Sequence, residues 1–147
     1  MLVEKRFDTG EVVLNYTEGP NNGPPLVLLH GFTGKWQSFT SLLPQLLPRW
    51  HIYALDHRGH GKSTRKPGYY RFRDYYRDTE KFIQEQVEEK PVILTHRLGG
   101  VMGIMYAANH PMNTRALLLL DPPMNFNYSM LNYVNQRHNV WVRVRMG

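Results

Sequence analysis

The chain has no cysteine at any of its 147 positions, which excludes disulfides, thiol nucleophiles and thiolate metal sites. No apolar run approaches the roughly 18 to 20 residues that span a bilayer, so no membrane association is expected. The opening Met1-Leu2-Val3-Glu4-Lys5-Arg6 lacks the basic-then-apolar order of a secretory leader, and a cytoplasmic setting is the resulting expectation. Acidic residues are in deficit, 12 against 18 basic, for a formal charge of +6. Internal repeats and low-complexity tracts are absent as well. Hydrophobic residues at 41% belong to an ordinary globular domain.

The positive excess raises the question of nucleic acid. Tyr69, Tyr70, Tyr75 and Tyr76 interleave with Arg65, Lys66, Arg71, Arg73 and Arg77, as bases stacking on a basic surface would require. No binding module accompanies them, and a solvated helix face explains the pattern better. No nucleic-acid partner is expected.

Four continuous or nearly continuous apolar runs mark buried strands: 25–30, 51–56, 91–96 and 116–121, the last stopped by Pro122-Pro123. Before them, residues 2–7 and 11–18 alternate loosely about Asp8-Thr9-Gly10 and read as a hairpin. Helical spacing appears over 37–47, 74–89 and 98–109. Strands alternating with helices predict an α/β fold, a mostly parallel sheet of about six strands with helices on both faces. Ligands of such sheets bind beyond the carboxyl ends of the strands, where His30, Asp56, His96 and Asp121 fall. Residues 1–123 read as the core. Residues 124–147 read as an irregular basic tail or the start of a cap, with Val140–Arg145 open between a short strand and a frayed end.

Several short motifs invite chemistry and fail on spacing. His57 and His60 do not have the separation of a helical metal pair, and no metal site is expected. Gly61-Lys62-Ser63 mimics the end of a phosphate loop, but Asp56 stands where that loop needs glycine. Gly59 and Gly61 lack the third glycine of a dinucleotide fingerprint, and no cofactor is expected.

Thr95-His96-Arg97-Leu98-Gly99-Gly100 has the strand–turn–helix layout of a nucleophile elbow, written G-x-S-x-G. Thr95 replaces its first glycine and Arg97 its serine. A guanidinium stays protonated and has no lone pair with which to attack a carbonyl. Together with His30-Gly31-Phe32, with Asp56-His57-Arg58-Gly59-His60-Gly61-Lys62-Ser63 and with Asp121-Pro122-Pro123, this segment resembles the α/β-hydrolase fold family, on its esterase and C–C hydrolase branch.

The resemblance covers residues 1 to about 123, the amino-terminal half of the family's fold, and implies a truncated version without the late strands. It implies descent from a serine hydrolase acting on an ester or related bond by acyl transfer. Phe32 and Leu98 are then the backbone donors of an oxyanion hole, His30 and Gly31 shape its approach, and Asp56 with the Arg58–Gly61 turn braces the rim. Thr33 stands where epoxide hydrolases carry proline, and a dehalogenase would need aspartate at 97. The family's late acid and histidine are not found. Asp121 matches the acid of some lipases, but His138 is the only histidine after it and lies in a segment too irregular to be expected to reach the site.

Loss of hydrolysis is therefore expected. The alternatives are a binding pseudoenzyme that holds a small anion at the oxyanion pocket and Arg97, or a fragment of an active hydrolase. A final expectation concerns assembly. With late strands absent, Ala116–Leu120 would be an unpaired apolar edge, prone to self-association and marginal stability.

Overall fold

The computed structural model describes residues 1–123 and 141–145. The amino-terminal hairpin forms from β1 (Val3–Asp8) and β2 (Val13–Glu18), paired antiparallel with Phe7 opposite Leu14. β3 (Pro25–Leu29), β4 (His51–Leu55), β5 (Val92–His96), β6 (Ala116–Leu120) and β7 (Trp141–Arg145) run parallel to one another. They make one seven-stranded sheet in the order β1-β2-β4-β3-β5-β6-β7.

Burial on both faces follows from the apolar runs. Every residue of β3 is buried, and successive side chains alternate between two cores. Val27, Leu29, Tyr53, Leu55, Ile93, Leu117 and Leu119 face one core, which α2 (Phe72–Gln86) and α3 (Leu98–Asn109) complete with Phe82, Ile83 and Met102. Leu26, Leu28, Ile52, Ala54, Val92 and Leu94 face the other, against Phe39 and Leu43 of a 3₁₀ turn (Trp36–Phe39) and of the short α1 (Leu43–Leu46). α3 lies unusually close to the sheet. A Cβ on Gly99 would stand 2.2 Å from the Leu29 carbonyl oxygen, so only glycine admits this approach.

Three sequence expectations need revision. The helix expected over 37–47 is broken between Phe39 and Leu43, because Pro44 fits only the first turn of a helix and has no N–H for its interior. The helix expected over 74–89 starts and ends earlier. Asp74 accepts the Arg71 backbone N–H at 2.9 Å and fixes the start, while Val87 is already extended. Finally, Ala116–Leu120 is not a sheet edge. β7 pairs with it in register, Leu118 beside Arg143 and Leu120 beside Arg145, so self-association through an open β6 loses its basis. β7 also makes the strand count seven rather than six and settles residues 141–145 as strand.

Candidate functional site

Three parallel strands end at one rim, and the chain leaves each through a strained residue. Among the described residues the non-glycine positions with positive φ are Thr33 at 62°, Arg97 at 49° and Asp121 at 48°. They follow β3, β5 and β6. Such conformations cost about 1–3 kcal/mol each and persist only where the surroundings over-determine them. For Arg97 and Asp121 the surroundings are explicit. The Arg97 N–H donates to the Leu120 carbonyl at 3.1 Å, and the Asp121 N–H donates to the Arg145 carbonyl at 2.6 Å. Both turns are thus continuations of the sheet ladder, one strand apart.

That ladder brings two residues 24 positions apart into contact: Arg97 Nε lies 3.4 Å from Asp121 Oδ2. Both side chains are open to water, 65% and 38% exposed, so the pair is weakly held. They line a cavity of about 420 Å³ together with Phe32, Phe72, Leu98, Pro122 and Pro123. The backbone N–H groups of Phe32 and Leu98 have no backbone acceptor among the described residues. For Leu98 this is inherent in its place as the first residue of α3. Gly31 brings the Phe32 loop against the elbow. A Cβ there would meet Arg97 Cβ at 3.1 Å and the His96 carbonyl at 3.3 Å. Two residues with N–H groups that lack a backbone acceptor and one permanent cation thus stand among those that line the cavity.

The other rim residues build the loops rather than face the cavity. Asp56 is buried and fully engaged: Oδ1 accepts the Trp36 N–H at 2.7 Å, and Oδ2 accepts Asn15 Nδ2 at 2.9 Å and the Lys62 N–H at 3.1 Å. His30 is also buried. Its Nδ1 donates to the Gly31 carbonyl at 2.7 Å, which leaves Nε2 to accept the His57 N–H at 3.0 Å. Burial lowers its pKa to about 4, aided by the neighbouring His60 and His96. His57 stacks edge-on at 4.4 Å between ring centres and is held well below its ordinary value by full burial and by His30. His96 is half-buried beside Gly31.

Arg58 extends the bracing to α2. It is entirely buried and forms two bonds with Asp78, at 2.6 and 2.7 Å, and one with the Tyr69 carbonyl at 3.0 Å. His138, the only histidine after Asp121, lies outside the described residues. Among the described residues no group of three His, Asp or Glu side chains is placed to hold a metal ion, and no helix is long and apolar enough to cross a membrane.

Phe72, Pro122 and Pro123 supply much of the cavity wall, and sequence reasoning did not single them out as site residues. Pro122-Pro123 was legible as a strand stop, and Phe72 falls two residues before the expected helix start, so neither carried a signal for a pocket.

Comparison with known proteins agrees with this geometry. A serine hydrolase-like protein of Danio rerio is 31% identical over 105 residues, 70% of this chain and 32% of that protein. The 2-(acetamidomethylene)succinate hydrolase of Mesorhizobium japonicum is 29% identical over 120 residues, 82% of this chain and 43% of that protein. The chain therefore spans less than half the length of either curated relative. The crystal structure of an E-2-(acetamidomethylene)succinate hydrolase superposes with a TM-score of 0.78 at 27% identity, over 95% of this chain and 52% of that one. The family model of the alpha/beta hydrolase fold matches residues 24–144. With the elbow, the flanking donors and the parallel sheet in place, the chain belongs to the α/β hydrolase fold family.

Proposed function

We propose that this chain is a non-hydrolytic member of the family, which retains the pocket of an ancestral serine hydrolase and uses it to hold a small anion. The ancestral reaction is acyl transfer at an ester or related bond. Arg97 at the apex of the elbow carries the reading. The apex faces the cavity, and a protonated guanidinium there closes the route through an alkoxide and an acyl-enzyme. The same group supports anion binding, since a guanidinium engages carboxylates and phosphates through paired N–H donors. One ligand oxygen would accept from the Phe32 and Leu98 N–H groups, and another from Arg97.

No cofactor, metal or nucleic acid enters this proposal, and it assigns the chain to the cytoplasm, in keeping with the absence of cysteine. A fluorophosphonate activity probe tests the loss of hydrolysis: the chain stays unlabelled while an active serine hydrolase in the same tube is labelled. Covalent labelling of the chain would refute the proposal. Thermal-shift titration with acetate and phosphate tests the binding half, with a stabilisation that Arg97→Gln removes.

A further inference from the structure

The cavity beside Arg97 has two properties that narrow the ligand. The first is its wall. Phe32, Phe72, Pro122 and Pro123 are four of its seven lining residues, and Phe32 and Phe72 are 57% and 56% exposed. Two large aromatic side chains left open to water on one rim favour a ligand with an apolar body. The second is the carboxylate already present. Asp121 sits within 3.4 Å of Arg97, longer than the roughly 2.7–2.9 Å of a charge-assisted hydrogen bond. Among the described residues the Arg97 side chain makes no hydrogen bond. The buried Arg58–Asp78 pair shows the contrast, with bonds of 2.6 and 2.7 Å on side chains 0% and 4% exposed.

Resting on the anion-binding reading above, we infer that the ligand is an apolar monocarboxylate whose head group displaces Asp121 from Arg97. The exchange replaces the Asp121 contact with a ligand carboxylate contact of the same kind, while Asp121 turns to the water it already touches and stays nearby as a negative charge. A phosphate dianion would bring two charges rather than one up to that standing negative charge and is repelled more strongly. A neutral amide of the same shape would leave the Arg97–Asp121 pair intact and compete with it for nothing. Asp121 thereby acts as an internal competitor that sets both the affinity and the charge selectivity of the site. The apolar body of the ligand rests on Phe32 and Phe72, which supplies the binding energy that the exchange itself does not.

The test is a ¹H–¹⁵N NMR titration of the full chain with acetate, butyrate, hexanoate, hexanamide and inorganic phosphate, following the Phe32 and Leu98 amides. It is run on the wild type and on the Asp121→Asn and Arg97→Gln variants. Asparagine tolerates positive φ better than most residues, so Asp121→Asn keeps the turn, and thermal melts confirm the fold of both variants. Affinity is expected to rise from acetate to hexanoate by about two- to fourfold per methylene. Hexanoate is expected to bind at least about fivefold tighter than phosphate or hexanamide. Asp121→Asn tightens hexanoate by about two- to fivefold, the range of a water-exposed ion pair. Arg97→Gln removes the preference for hexanoate over hexanamide.

Phosphate binding as tightly as hexanoate, or hexanoate affinity unchanged or weakened in Asp121→Asn, would overturn the exchange. Arg97-dependent phosphate binding would then leave the broader anion reading standing. Absence of binding by every anion in both the wild type and Asp121→Asn would remove that reading and this inference together.

Discussion

The stacked histidines behind the site make acid stability a sharp test of the fold. His30 is buried, donates from Nδ1 to the Gly31 carbonyl, and presents Nε2 as an acceptor to the His57 N–H. Protonating Nε2 would break that bond and place a charge 4.4 Å, ring to ring, from the equally buried His57. The pKa of His30 accordingly falls from its ordinary 6.5 to about 4, chiefly through desolvation. The unfolded chain therefore binds a proton near pH 6.5 that the folded chain refuses until about pH 4. This contribution to stability is complete above about pH 7 and is lost as pH falls through that window. At about 1.4 kcal/mol per pH unit it amounts to about 3 kcal/mol in total, of which about 2 kcal/mol disappears between pH 7.5 and 5. His57, lowered further by full burial, acts in the same direction and steepens the fall.

Burial raises the pKa of Asp78, which acts in the opposite direction and favours the fold as pH falls. The lowered pKa values of Glu18 and Glu80 weaken stability only under more acidic conditions. Urea unfolding at half-unit steps from pH 7.5 to 5 measures the slope directly. His57→Gln, which keeps a side-chain donor for the His30 carbonyl, should flatten it. A wild-type stability that stays level across this range, or rises toward pH 5, would refute the assignment of two buried neutral histidines.

Two substitutions probe the elbow. Arg97→Gly relieves a residue held at φ 49° and gives up only a water-exposed ion pair, so a stabilisation of about 1 kcal/mol and a melting point higher by about 3 °C are expected; a lower melting point would contradict the strain. Gly99→Ala places a methyl group 2.2 Å from the Leu29 carbonyl oxygen, which the β3 backbone cannot vacate, so a loss of about 3 kcal/mol or more is expected in urea unfolding, and a near-neutral result would contradict the close seating of α3.

The elements read most securely from sequence were those whose residues meet the same surroundings on every side. β3, β5 and β6 are continuous or nearly continuous apolar runs because each is sandwiched between neighbouring strands and two cores. α3 occupies the expected 98–109, since its glycines near the start and its apolar length admit little else. Elsewhere one residue or one distant partner decided the outcome. Pro44 divides a segment whose leucine spacing is otherwise helical. Val140–Arg145 alternates apolar and basic, a pattern equally suited to a strand and to an exposed tail, until β6 supplies hydrogen-bond partners for 141–145.

The candidate site divides along the same line. Arg97 is a fact of composition at one position, and with the motifs around it the sequence alone pointed to the family and to a guanidinium at the apex of the elbow. Chemical identity is local, so no fold is needed to know that a guanidinium cannot attack a carbonyl. Only the tertiary structure decided what surrounds that guanidinium. Asp121 reaches it because β5 and β6 are adjacent and in register, and Phe72 joins the cavity because α2 begins beside the rim. Those neighbours are set by strand order and by the packing of helices on the sheet, interactions between residues far apart in the chain that no single stretch of sequence encodes.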